Sequence, residues 1–244
     1  MPQNSLAGKL GLWTDSSEKA QGHLHDIQAL GFDYLVVRVT HLSNGHAVPH
    51  SPATLKQLIK DAATIDLKIA CWAYVFPTNI QDQIDGISAA LPPEIDNLIL
   101  DAEVEWEGIP DASAHTLMHG IAEATGHHAG LHLSSFCNPV DHPIPYKAFL
   151  THSLSFMPQS YLFPPTSPAT ILHRTMVQSL PLAQFSLCKQ LIPTVNAAPM
   201  LQAIKNPAFK GASVWLWHDD GTDDKGVQGR ESIWQPAIDA WKSP

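Results

Sequence analysis

Short β-rich runs alternate with helical stretches along the whole chain. Runs that are apolar throughout, or at every second position, predict strands over residues 9–15, 34–40, 68–76, 97–103, 128–134, 155–161, 191–196 and 211–219. Between them, apolar residues recurring three and four positions apart predict helices over 17–30, 52–65, 80–91, 112–125, 168–188, 198–204 and 232–241, with Gly31 and Gly126 as C-caps. No long linker or low-complexity break interrupts the alternation, so residues 1–244 read as one domain. Strand then helix, repeated about eightfold, predicts the α/β class and a (β/α)8 (TIM) barrel. The fifth unit is the thinnest, because Pro139, Pro143 and Pro145 leave room for one short helix within 138–150. An open, doubly wound sheet is the structural alternative. It asks for a Gly-rich phosphate turn after the first strand, and Trp13-Thr14-Asp15-Ser16-Ser17 is not one.

In such a barrel alternate residues of each strand point inward, and those near the C-terminal ends line the mouth. Taking the apolar set as helix-facing, the inward residues are Trp13 and Asp15, Arg38 and Thr40, Trp72 and Tyr74, Asp101 and Glu103, His132 and Ser134, Gln159 and Tyr161, Thr194 and Asn196, Trp217 and Asp219. Every strand thus ends polar or aromatic on that face. A purely structural barrel would favour branched aliphatic residues there, since an unpaired buried polar group costs about 1–3 kcal/mol. A hydrated cleft accounts for the pattern better.

The fourth strand carries the most pointed signal. In Asn97-Leu-Ile-Leu-Asp-Ala-Glu, Asp101 and Glu103 are two positions apart on one face behind an apolar run. Repulsion and partial desolvation should raise one carboxyl pKa and leave the other group ionised, dividing the pair into an acid and a stabilising base. The proton is assigned to Glu103. The plainer reading is a salt bridge from one of them to Arg38. Glu105 and Glu107 lie beyond the strand and read as solvated loop charge.

Composition narrows the chemistry. With 14 Lys and Arg against 23 Asp and Glu, the net charge is −9, and no basic run tracks a phosphate backbone, so nucleic acid is not the expected partner. Only 15% of residues are charged, against about 25% in typical globular chains. Neutral polar side chains must therefore wet much of the surface, which suits a neutral polymer. No apolar stretch approaches the roughly 20 residues of a membrane span. The N-terminus lacks an apolar segment behind Lys9, so no secretory signal is expected. Three cysteines, Cys71, Cys137 and Cys188, without C-x-x-C spacing, read as reduced structural thiols. Among the 14 histidines, His23-Leu-His25 has the spacing of a strand-borne metal motif but falls in a predicted helix, where positions two apart diverge. His127-His128 ends a helix and His132 is a lone inward imidazole, so neither a metal nor a cofactor is expected.

Pyranose faces stack on aromatic rings and their hydroxyls need neutral hydrogen-bond partners. Trp13, Trp72, Tyr74, Trp106, Tyr161 and Trp217 offer the first, and Asn196, Gln159, Thr194 and Ser134 the second, while Trp215, Trp234 and Trp241 read as core or helix packing. With these residues in place, the chain resembles the family 25 lysozymes (muramidases) and the family 18 chitinase group of glycoside hydrolases. Asp101-Ala-Glu103 is similar to their Asp-x-Glu strand, and Thr14-Asp15-Ser16-Ser17 to the Asp-x-Ser start of family 25 without the intervening residue. Against the chitinase pattern Asp-x-x-Asp-x-Asp-x-Glu, Asp96, Asp101 and Glu103 are in register and Ile99 replaces the remaining acid. Met157-Pro-Gln-Ser-Tyr161 resembles their sixth strand, and Trp217 the eighth-strand Trp that floors the sugar subsite.

The resemblance implies hydrolysis of a β-linked N-acetylamino sugar polymer, with peptidoglycan the leading substrate. Glu103 would protonate the glycosidic oxygen, Asp101 would stabilise the sugar or orient its acetamido group, and Asp15 would assist. Tyr161, Trp217, Asn196, Gln159, Tyr74, Trp72, Arg38 and Trp13 would bind the glycan. It also implies cytoplasmic synthesis with delivery to the cell wall by a phage-type or apparatus-mediated route. Two alternatives stand beside it: a catalytically silent carbohydrate-binding or structural barrel of a phage or injection apparatus, and a glycosidase for another polysaccharide.

Overall fold

The computed structural model describes residues 6–43, 46–126, 129–163, 165–217 and 227–243; Asp219, His127 and His128 lie outside them. The first half runs β1 (Leu10–Thr14), α1 (Ser17–Gln21), α2 (Leu24–Leu30), β2 (Tyr34–Arg38), β3 (Thr40–Ser43), β4 (His46–Pro49), α3 (Pro52–Ala63), β5 (Lys68–Val75), α4 (Ile80–Ala90) and β6 (Asn97–Ala102). A single 3-10 turn, Val104–Trp106, leads to α5 (Asp111–Ala124), β7 (Gly130–Phe136), α6 (Tyr146–Leu150), β8 (Ser155–Gln159), α7 (Pro168–Ala183), β9 (Gln190–Leu191), β10 (Thr194–Val195), α8 (Ala198–Ala203), β11 (Ala212–Val214) and α9 (Glu231–Lys242). Strands β1, β2, β5, β6, β7 and β8 pair in parallel in that order; β8 continues through β9 and β10 to β11, which returns to β1. The sheet closes as an eight-stranded parallel barrel ringed by helices, the expected (β/α)8 architecture.

Side-chain alternation builds two cores. Leu10, Leu12, Leu35, Val37, Leu98, Leu100 and Leu133 face outward and pack under the helices. Trp13, Tyr34, Val36, Ala70, Trp72, Ile99, Met157 and Ile192 face inward and fill the barrel. Gly11 is required by this packing: a Cβ there would overlap the Tyr34 ring.

Four local differences from the sequence reading have physical causes. The expected helix over 17–30 is two helices that break at Gly22, with Ser16 capping α1 by accepting from the Lys19 N–H at 3.3 Å. The expected seventh strand splits into β9 and β10 around Ile192-Pro193, where Pro193 has no N–H for the ladder. The antiparallel hairpin β3–β4 was not anticipated. The last strand ends at Val214, five residues before the expected end at 219.

Candidate active site

Asp101 is the last inward residue of β6, opposite Tyr74 of β5 and Ser134 of β7. Glu103 follows, half-buried, at the start of the 3-10 turn, while Asp101 is only 5% exposed. One side chain from β8, two strands along the sheet, joins them. The Gln159 amide, at the end of β8, donates one N–H to Asp101 Oδ1 at 2.8 Å and the other to Glu103 Oε1 at 2.7 Å. The Tyr74 hydroxyl lies 3.4 Å from Glu103 Oε2 and donates to Glu105 Oε2 at 2.8 Å, so Glu105, expected to be merely solvated, belongs to the mouth. Glu107 accepts from His142 Nδ1 at 2.8 Å and is likewise paired.

The division of the pair differs from the expectation. Burial and the Glu103 charge push Asp101 up to about 8, and hydrogen bonds from Ser134 and Gln159 and the Arg38 charge only partly oppose them. Burial thus favours the protonated form of Asp101, the member sealed from water, where the sequence places the proton on Glu103. Arg38 does not act as the salt-bridge partner of the plainer reading: it donates Nε to Thr40 O at 2.9 Å, and its guanidinium lies 4.9 Å from the Trp72 ring centroid.

Beneath the carboxyls, Trp13, Trp72 and Trp215 form a mutually packed group with ring centroids 5.5–5.7 Å apart. Trp72 is opposite Ile99, one inward position below Asp101. The Trp13 indole N–H donates to Ser213 Oγ and that of Trp72 to the Thr14 carbonyl, each at 3.0 Å. Both rings are buried, so they underlie the cleft instead of presenting open stacking faces. Trp215 is half-buried and presents the accessible face of the group.

This corrects the eighth-strand assignment. Trp217 is fully buried in the outer core against the His23 ring, and Trp215, expected to be packing mass, stands at the mouth; the peptide bond between Trp215 and Leu216 is cis. Ser213, two positions before Trp215, bonds the inward Trp13 indole, and the strand ends at Val214, too early for Trp217 to keep the inward face expected of it. Trp106 is also corrected: it is buried, donating its indole N–H to the Val75 carbonyl at 2.9 Å and packing edge-on against Phe149.

Tyr161 is half-buried, and burial, with the Asp101 and Glu103 charges adding to it, pushes its hydroxyl well above the usual phenol range. Asn196 accepts from the Leu162 N–H at 2.6 Å and its amide lies 3.5 Å from the Leu162 carbonyl, so it holds the segment that carries Tyr161. Asp15 is half-buried beyond β1, 3.8 Å from Lys19 Nζ, where it acts electrostatically on His50 together with Arg38 and Glu18. Those ties turn it toward α1 and the hairpin side of the mouth. His132 lies lower in the barrel, its Nδ1 2.7 Å from Ser155 Oγ and its Nε2 2.9 Å from Asn97 Oδ1; burial pushes it down to about 3, so it is a neutral, satisfied core histidine. Gln83 of α4 was missed by sequence reasoning. Its buried amide bonds the backbone of Phe76 on both sides and the Thr78 carbonyl, fixing the lip beside Tyr74.

No protein-family model matches the chain, and no curated protein matches it. Solved structures match its fold. A chitinase from Chromobacterium violaceum shares 8% identity over 98% of this chain and 100% of that chain, with a TM-score of 0.64. The spore cortex-lytic enzyme SleL of Bacillus megaterium shares 11% identity over 96% of this chain and 74% of that chain, with a TM-score of 0.61. The xylanase and alpha-amylase inhibitor protein XAIP-II from Scadoxus multiflorus shares 11% identity over 94% of this chain and 97% of that chain, with a TM-score of 0.62. At these identities the likeness shows a barrel that glycoside hydrolases use and assigns the chain neither to the lysozymes nor to the chitinases.

Proposed function

We propose that the chain is a glycoside hydrolase of β-linked N-acetylamino sugar polymers, and that its substrate is the glycan strand of peptidoglycan. The observation that carries this reading is the Gln159 bridge: one amide holds a sealed Asp101, whose pKa burial raises, beside a half-open Glu103 at the mouth of the barrel. A pair that shares one proton near neutral pH contains an acid and a base at once. Glu103 is the member open to the cleft and therefore the one that delivers the proton to the glycosidic oxygen as the C–O bond breaks. Asp101, on passing its proton to Glu103, becomes the buried carboxylate that stabilises positive charge at the sugar carbon or orients the acetamido nitrogen. Water completes the hydrolysis by adding its oxygen to that carbon and returning a proton to the pair. Trp215, Tyr74 and Tyr161 supply the aromatic faces that a pyranose requires.

The choice of peptidoglycan rests on the motif likeness to muramidases and on a shared fold with a cortex-lytic enzyme. Incubation with purified peptidoglycan, chitin oligomers and neutral glucans, followed by analysis of released fragments, tests it. Muropeptides with new reducing ends are expected. Fragments from chitin alone would keep the glycosidase and replace the substrate, and fragments from none would favour a binding barrel.

A further inference from the structure

We propose that Arg38 is a carboxylate anchor: its guanidinium holds a carboxylate carried by the amino-sugar strand, so that the mouth selects acidic strands over neutral ones such as chitin. This inference rests on the glycosidase reading above and deepens it. Among the described residues, Arg38 is the one Lys or Arg at an inward position near the C-terminal ends of the barrel strands, where it pairs in register with Trp72 of β5. The fold does not use its charge. Nε donates to the Thr40 carbonyl at 2.9 Å, and the guanidinium carbon lies 4.9 Å from the Trp72 ring centroid. These contacts fix the group and leave both Nη groups without a partner among the described residues. A half-buried cation left this way is poorly screened and attracts an anion more strongly than a surface lysine does.

The support behind the guanidinium is rigid. Thr40 opens the β3–β4 hairpin opposite Pro49, and the Val39 N–H donates to the Trp72 carbonyl at 2.9 Å, which ties β2 to β5 beside the side chain. An arginine fork held from behind matches a carboxylate with two parallel hydrogen bonds and loses little freedom in making them. The opposite side of the mouth repels such a group, because Asp101, Glu103 and Glu105 gather there. Strand β2 lies two strands from β6, about 10 Å at the usual spacing. That separation leaves the carboxyl pair to the glycosidic bond and places the anchor where a substituent on the bound strand would reach it. The carboxylate has two sources in peptidoglycan: the lactyl group of a muramyl ring freed of its peptide, and the stem peptide itself.

The test measures binding by calorimetry and release of reducing ends for wild type, Arg38→Gln and Arg38→Lys, with circular dichroism confirming that all three are folded. The probes are strands with intact stem peptides, strands stripped of peptide so that the lactyl carboxylate is free, the same stripped strands with that carboxylate converted to an amide, and chitin oligomers of matching length. Wild type should bind at least one carboxylate strand more tightly than the amidated strand and chitin, by about tenfold or more. Preference for stripped strands assigns the lactyl group, and preference for intact strands alone assigns the stem peptide. Arg38→Gln should erase the preference, and Arg38→Lys, which keeps the charge without the fork, should retain only part of it. Wild type that binds carboxylate and neutral strands alike, or that binds neither, would overturn the anchor, as would an Arg38→Gln chain with the wild-type preference. Preference without release of reducing ends would overturn the hydrolase reading and keep the anchor; release without preference would do the reverse.

Discussion

Asp101 and Glu103 are chemically alike and two positions apart, and exposure alone separates them. Burial raises Asp101 from 3.8 to about 8, so the folded chain keeps a proton that the unfolded chain releases once the pH passes about 4. The folded state binds more protons across that interval, and this group therefore lowers stability progressively as the pH rises from about 4 to 8. Asp101→Asn removes the ionisation. The variant should lose less stability than wild type between pH 5 and pH 8 in urea unfolding, while losing turnover; equal losses in both proteins would contradict the buried proton. Gln159 makes a complementary prediction. Its hydrogen bond opposes the rise of the Asp101 pKa, so Gln159→Ala should move the alkaline limb of activity upward while lowering the maximum rate. An unchanged pH profile would show that the bridge does not govern the pair.

At the scale of elements, β1 and β2 are locked by a close approach. Gly11 sits opposite Tyr34, whose ring occupies the space of any Cβ there. Gly11→Ala should destabilise the chain by about 1–3 kcal/mol or more through overpacking. Tyr34→Phe should be neutral or stabilising, because the buried Tyr34 hydroxyl has no hydrogen-bond partner among the described residues. Denaturant midpoints for the two variants test both statements, and a stable Gly11→Ala chain would contradict the register. The same strands show how much the sequence made legible. Alternation identified both cores and the inward placement of Trp13, Trp72, Asp101 and Gln159, because a period of two follows directly from the pleat. Alternation does not say where a strand stops. That is why alternation points to Trp217 at the mouth where the structure has Trp215, and why a seventh strand interrupted by Pro193 looks continuous in the sequence. The hairpin β3–β4 had left a signal in Asn44-Gly45, a dipeptide that favours hairpins between extended runs. The proton's location was not legible at all. It depends on how far Asp101 is sealed, which only the closed barrel determines.

On the scale of the whole molecule, the closed barrel gathers the carboxyl pair and its aromatic faces at one mouth. Acid catalysis by a carboxyl pair needs no Lewis acid. Chelator should therefore leave turnover intact. Loss of turnover with EDTA and its recovery with Zn2+ would overturn the carboxyl mechanism.

The most direct test compares wild type with Glu103→Gln, with circular dichroism confirming that both are folded, for release of reducing ends from peptidoglycan and for affinity toward the same glycan. The amide keeps the shape and reach of Glu103 but has no proton to transfer. Turnover should therefore fall by a factor of about 10² to 10⁴ while glycan binding persists. A Glu103→Gln chain as active as wild type, or a wild-type chain that binds glycan and releases no reducing ends, would contradict the account.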